Sequence, residues 1–269
     1  MRYKMLCTDL DGTLLALKNK PSEFTCGVFK KYAKRLNMVL VSARMPSGIK
    51  YIQEILGVTN QPIICYNGAL VMHGDKVLDS HTLSIDLVKK VAHLCQNHQV
   101  ALGLYSYDEW FAPAPSERVS KEEFNTQTKV VFEPTLTTLD RWQQEDKGAH
   151  KLMLMGTKQG ADQLQELLDT EFKKEMDIYR SNDTLIEISP AGIDKLSGIK
   201  ALTQPGISLS DIMAFGDNYN DISMLQGVGL GVAVENGRQE VKDIADQHAK
   251  SCATDGVAHF LEEYFNSDK

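Results

Sequence analysis

Short apolar runs alternate along the chain with amphipathic stretches. Residues 3–8, centred on Met5-Leu6-Cys7, read as a strand, 25–36 as a helix, Met38-Val39-Leu40-Val41 as a strand, 46–56 as a helix and Pro62-Ile63-Ile64-Cys65 as another strand. This alternation predicts a parallel sheet flanked by helices, with ligands held beyond the carboxyl ends of the strands. Asp9 and Ser42 both follow strands, so both fall on that rim.

The pattern changes from Ser80 to about Glu187. A helix is expected over 84–97, strands over 100–107, 130–132 and 151–155, and helices over 138–146 and 160–173. Asp177–Arg180 and Leu185–Ile188 read as a hairpin across Ser181-Asn182-Asp183. This mixed block has the character of a second domain inserted into the first. Beyond it the β/α alternation resumes, with strands at 212–215 and 229–234 and helices at 194–203, 220–226, 238–246 and 256–265.

The chain has 269 residues, 42% of them hydrophobic and 24% charged, enough for one large or two moderate domains with a real core. A formal charge of −7 argues against a broad surface for nucleic acid or an anionic membrane. No apolar run has the length of a membrane span, and Met1-Arg2-Tyr3-Lys4 leads directly into a short strand, so a cytoplasmic location is expected. Cys7, Cys26, Cys65, Cys95 and Cys252 are widely spaced and read as small buried hydrophobes rather than disulfide partners or zinc ligands. The seven histidines never take H-x-x-x-H spacing and read as surface residues.

Two acidic clusters change the picture. Asp9-Leu10-Asp11-Gly12-Thr13 carries two carboxylates off the end of the first strand. Ionised groups about 4 Å apart repel by roughly 4 kcal/mol at an effective dielectric near 20, so a fold that gathers them needs a cation, a shared proton or a reaction. Gly216-Asp217-Asn218-Tyr219-Asn220-Asp221 repeats the logic after a later strand. If Asp9, Asp11, Asp217 and Asp221 converge, their hard oxygens suit Mg²⁺, which keeps open positions for water and substrate phosphate. Helix-capping turn residues account for either cluster alone, but poorly for both.

On these residues the sequence resembles the haloacid dehalogenase superfamily, and within it the Cof-type sugar-phosphatase branch. Asp9-Leu10-Asp11-Gly12-Thr13-Leu14 is similar to the first motif, Ser42 in Val41-Ser42-Ala43-Arg44 to the second, Lys195 in Ser189–Lys195 to the third, and Gly216-Asp217 through Asn220-Asp221 to the fourth. Tyr66-Asn67-Gly68-Ala69 and Asp255-Gly256-Val257 also resemble the branch. Ala43 stands where glycine is common, which adds a methyl beside a backbone N–H that the resemblance aims at phosphate, and Leu196 stands where glycine often follows the lysine.

The resemblance implies an α/β fold: a Rossmann-like parallel-sheet hydrolase core over 1–82 and 189–269, with an inserted α+β cap domain over 83–188. It implies a Mg²⁺-dependent phosphatase for a small phosphorylated metabolite. Asp9 would be the nucleophile and Asp11 the general acid and base. Leu10, Ser42, Ala43, Lys195 and Asn220 would hold phosphoryl oxygens, the first and third through main-chain N–H groups. Asp9, Asp217 and the main-chain carbonyl of Asp11 would take the metal, leaving the Asp11 carboxyl free for proton transfer, while Asp221 would bind the metal's waters or orient Lys195. In the cap, Tyr105, Tyr107, Asp108, Glu109 and Trp110 are candidate substrate contacts. Phosphoryl transfer to another hydroxyl, as in phosphomutases, and a non-catalytic phosphometabolite sensor are the rival readings. Gly227-Val228-Gly229-Leu230-Gly231 enters a strand instead of opening a helix, which argues against a dinucleotide loop.

Overall fold

Buried strands and one-sided helices set the architecture of the computed structural model, which describes residues 2–17, 19–203 and 206–267. The chain opens with β1 (Met5–Thr8), α1 (Glu23–Tyr32), β2 (Asn37–Val41), α2 (Pro46–Leu56), β3 (Pro62–Cys65), β4 (Leu70–His73) and β5 (Lys76–Ser80). Two of these helix boundaries have a clear local cause. The Ser22 hydroxyl accepts the Thr25 N–H to start α1, and Gly57, at φ 73°, closes α2 in the left-handed conformation.

Residues 80–193 form a separate unit. It contains α3 (Ile85–Asn97), β6 (Ala101–Ser106), β7 (Glu109–Ala112), α4 (Glu117–Thr126), β8 (Val131–Phe132), α5 (Thr135–Gln144), β9 (Lys151–Met155), α6 (Lys158–Glu171), β10 (Met176–Asn182) and β11 (Leu185–Pro190). Its six strands run in the order β10-β11-β9-β6-β7-β8, antiparallel except for β7–β8. Leu102, Leu104, Leu152, Leu154, Ile186 and Ile188 pack with Val88, Val91, Leu139, Trp142, Leu164 and Leu168 of the helices in one core.

The chain then returns to the first unit with α7 (Lys195–Leu202), β12 (Ile212–Gly216), α8 (Ile222–Gly227), β13 (Leu230–Val234), α9 (Gln239–Ile244), β14 (Gln247–Ala249) and α10 (Gly256–Ser267). The completed sheet has the order β14-β13-β12-β1-β2-β3-β4-β5. Its strands are parallel from β14 to β3, and β4 is antiparallel to β3.

This order positions the site. From β1 the chain lays β2 and β3 on one side and, after the insertion, β12 and β13 on the other, so the order reverses between β1 and β12. Such a switch point opens a crevice beyond the strand ends. At about 4.8 Å per strand, the carboxyl ends of β12, β1, β2 and β3 span only roughly 14 Å.

The compact units divide at 79/80 and 193/194, whereas the sequence reading placed the divisions at 82/83 and 188/189. Paired hydrogen bonds between Leu83 and Ala149, and one between Ser80 and His150, tie the first few residues to the second unit. At the other boundary, β11 continues to Pro190 opposite Met176. The β4–β5 pair, β7, α4 and β14 were not expected. The β5 side chains are mostly exposed and α4 buries only Val119 and Thr126, so neither shows a clear apolar period. Two other expectations need correction: Cys26 and Cys252 are half-buried rather than core residues, and His150 is fully buried rather than superficial. Among the described residues no helix is long and apolar enough to cross a membrane.

Candidate active site

Strand β1 delivers Asp9 directly onto the rim, where its N–H donates to the Phe215 carbonyl of β12 at 3.0 Å. Helix α7 delivers Lys195 as its first residue. The Asp194 carboxylate caps this helix by accepting the Ser197 N–H at 2.8 Å, and the Ser197 hydroxyl accepts the Asp194 N–H at 3.0 Å. Lys195 is fully buried and bridges two aspartates, with Nζ 2.5 Å from Asp9 Oδ1 and 2.6 Å from Asp221 Oδ1.

Asp221 is also fully buried, and both of its oxygens are engaged. Oδ1 meets Lys195, while Oδ2 accepts the N–H groups of Asp217 and Asn218 at 2.9 and 3.0 Å. It therefore orients Lys195 and shapes the loop that carries Asp217. Asp217 takes a hydrogen bond from the Thr13 hydroxyl at 2.7 Å. Gly12, at φ 96°, makes this approach possible: a Cβ there would lie 2.7 Å from Asp217 Oδ2.

Asp9, Asp217 and Asp221 each offer an oxygen within 4.8 Å of the others. Burial lifts the Asp9 carboxyl well above the usual range despite Lys195, and Asp221 and Asp217 add to the rise. Burial also raises Asp217 against the pull of Thr13, with Asp221 contributing. Burial by itself would lower Lys195, but Asp221 and Asp9 outweigh it and hold the ammonium above its ordinary value. Three carboxylates thus face one ammonium. Hard oxygen donors with surplus negative charge fit a small metal cation, and Asp9 and Asp217 have the coordination capacity that Asp221 lacks.

Asp11 lies outside this triad. Its carboxylate is held by Arg44 in a two-pronged fork, Nε to Oδ2 at 2.8 Å and Nη2 to Oδ1 at 2.7 Å. Arg44 is 4% exposed, and its Nη1 also donates to the Gly48 carbonyl at 3.4 Å. Ser42 is buried at the end of β2, with Oγ accepting the Arg44 N–H at 3.3 Å. Ala43 is not among the residues with positive φ, so its methyl imposes no left-handed strain on this loop. Leu10 is fully buried, and its carbonyl accepts the N–H groups of Thr13, Leu14 and Leu15. Asn220 is half-buried, and its Nδ2 donates to Asn67 Oδ1 at 3.1 Å.

Sequence reasoning assigned no role to Thr13, Arg44 or Asn67, although all three lie inside motifs it singled out. The Asn-Gly pair after β3 signals a left-handed turn, but neither its partner nor that of Arg44 is readable from spacing. In the second unit, Tyr105 and Trp110 are buried and stacked, with ring centroids 5.3 Å apart. Tyr107 and Asp108 are exposed at the β6–β7 turn, while Glu109 pairs with Lys147 at 3.2 Å.

An open α/β sheet with acidic loops and a buried lysine at its switch point defines an enzyme class that handles charged ligands at the carboxyl rim. A profile of haloacid dehalogenase-like hydrolases matches residues 6–261, and the chain belongs to that family. It is 30% identical over 277 residues to the 5-amino-6-(5-phospho-D-ribitylamino)uracil phosphatase YitU of Bacillus subtilis, covering 97% of each chain. It is 27% identical over 270 residues to the HMP-PP phosphatase of Yersinia pseudotuberculosis, covering 98% of this chain and 96% of that protein. A haloacid dehalogenase-like hydrolase from Bacteroides thetaiotaomicron is similar in structure, with a TM-score of 0.88 at 25% identity over 97% of this chain and 99% of its own. TM0651 from Thermotoga maritima gives a TM-score of 0.87 at 27% identity over 97% of both chains.

Proposed function

We propose that the protein is a Mg²⁺-dependent phosphatase that hydrolyses small phosphomonoesters, sugar or other metabolite phosphates, through an aspartyl-phosphate on Asp9. The observation that carries this reading is the bridge from Lys195 to Asp9 and Asp221 beside Asp217, at the switch point of the sheet. Asp9, Asp217 and the main-chain carbonyl of Asp11 would hold the metal, whose charge screens an anionic nucleophile from an anionic phosphate.

Asp9, held at one oxygen by Lys195, attacks phosphorus in line and takes the phosphoryl group as the alkoxide departs. The Asp11 carboxyl gives the alkoxide its proton. In the second displacement it takes a proton from water, which attacks phosphorus and returns Asp9 as a carboxylate with release of inorganic phosphate. Ser42, Lys195, Asn220 and the N–H groups of Leu10 and Ala43 hold the oxygens that do not react. Arg44 holds Asp11 as an aligned carboxylate before substrate arrives, so the fork must loosen and Asp11 must take up a proton from solvent before it acts as the acid. In the second unit, Tyr107, Asp108 and Glu109 remain proposed substrate contacts, while Tyr105 and Trp110 are buried and stacked on each other.

The test is a panel of phosphomonoesters with Mg²⁺ and no added acceptor. Release of inorganic phosphate that is lost in Asp9→Asn supports the reading. Transfer only to an added hydroxyl favours the phosphomutase reading, and binding without turnover favours the sensor.

A further inference from the structure

The turn Tyr66–Gly68, which follows β3, takes three successive positive φ values: 51° at Tyr66, 55° at Asn67 and 109° at Gly68. Side chains with a Cβ rarely adopt this region, and two in a row persist only where the surroundings dictate them. Here three neighbouring loops do so. The Tyr66 N–H donates to the Arg44 carbonyl at 3.2 Å, and the Asn67 N–H donates to the Ser42 carbonyl at 3.0 Å. Gly68 lies so close to the start of α7 that a Cβ would sit 2.0 Å from the Asp194 carbonyl oxygen, one residue before Lys195. Asn67 Oδ1 completes the set by accepting Asn220 Nδ2 at 3.1 Å.

The turn therefore touches the loops of Ser42, Lys195 and Asn220, the three side chains assigned to phosphoryl oxygens. We infer that Asn67 is a positioning residue for phosphate binding, acting through the Asn220 amide. With its carbonyl toward Asn220, Asn67 takes one N–H of that amide, fixes the amide plane and leaves the second N–H as a donor for an anion. A flip of Asn220 alone would set two amide oxygens against each other. Asn67 holds this contact from a left-handed backbone, and asparagine is the residue with a side-chain carbonyl that tolerates it best. This inference rests on the proposed role of Asn220.

The test is a double-mutant cycle read with para-nitrophenyl phosphate as substrate and inorganic phosphate as inhibitor, both with Mg²⁺. Asn67→Gly tolerates the left-handed backbone and removes the side chain that carries the amide. It is expected to lower kcat/KM about fivefold and weaken phosphate inhibition to match, with an unchanged melting temperature. Asn220→Ala is expected to lower kcat/KM by about 10-fold or more, and adding Asn67→Gly should then change it by less than about twofold. Asn67→Ala should show the same loss of effect in the Asn220→Ala background. Fully additive effects, or no effect of Asn67→Gly on phosphate inhibition, overturn the inference and leave the phosphatase reading intact. An Asn220→Ala enzyme with unaltered kcat/KM overturns the assigned role of Asn220 and this inference with it.

Discussion

Replacing Lys195 with methionine removes the ammonium while keeping most of the unbranched apolar stem of the side chain. Its nitrogen lies 2.5 Å from Asp9 and 2.6 Å from Asp221, whose side chains are 10% and 0% exposed. At an effective dielectric near 20 and about 4 Å between charge centres, each pair is worth about 4 kcal/mol of attraction, roughly 8 kcal/mol gross. Desolvation cancels part of this, and removing one partner of a buried pair costs about 3–5 kcal/mol because the other charge is left stranded. Lys195→Met should therefore lower the unfolding free energy by about 3–5 kcal/mol in chelator-treated buffer, measured by urea denaturation. Adding Asp9→Asn removes one stranded carboxylate and should recover at least about 1 kcal/mol, a coupling between contacting residues. A loss below about 1 kcal/mol for Lys195→Met, or strict additivity with Asp9→Asn, would refute the view that this ammonium holds the acidic cluster together.

Three further outcomes follow from the same geometry. Arg44→Lys keeps the charge but loses the fork that aligns Asp11 for proton transfer, so kcat should fall about 10-fold; an unchanged or higher kcat would show that the fork only restrains Asp11. Gly12→Ala places a methyl 2.7 Å from Asp217 Oδ2 on a backbone at φ 96°, and should weaken Mg²⁺ binding in calorimetry, which equal affinity would contradict. Burial, aided by the charge of His81, pushes His150 down to about 4 from its ordinary 6.5. The unfolded chain therefore binds a proton that the folded one refuses between these values. Stability from this group is full above about pH 6.5 and is lost as pH falls, by about 2 kcal/mol at pH 5. Urea denaturation at pH 7 and 5 should show that loss in the parent and a smaller one in His150→Gln, and parallel losses would refute it.

The parts of this molecule legible in the sequence are those whose cause is local. Strands β1, β2, β3, β9 and β12 each carry a short apolar run, and Pro46 with Gly57 brackets α2. Edge strands β5 and β14 bury little, and helix α4 is polar around most of its circumference, so neither period nor propensity marks them. The site divides the same way. Asp9 and Asp217 stand at strand ends where the chain itself announces a rim. The Arg44 fork on Asp11 joins residues 33 apart, and the Asn67–Asn220 contact joins residues 153 apart, so both pairings exist only once the sheet is assembled. The burial of Lys195 was equally hidden, because a lysine opening a helix is ordinarily solvated, and only the convergence of two aspartates holds it inside.

The most direct measurement is to acid-quench the enzyme during turnover of para-nitrophenyl phosphate with Mg²⁺ and locate phosphoryl groups by fragmenting its peptides in a mass spectrometer. A phosphoryl group on Asp9, rising within the first turnover and absent from Asp9→Asn, is the expected result. Full turnover with Asp9 unmodified, or with the phosphoryl group on another residue, would contradict the account.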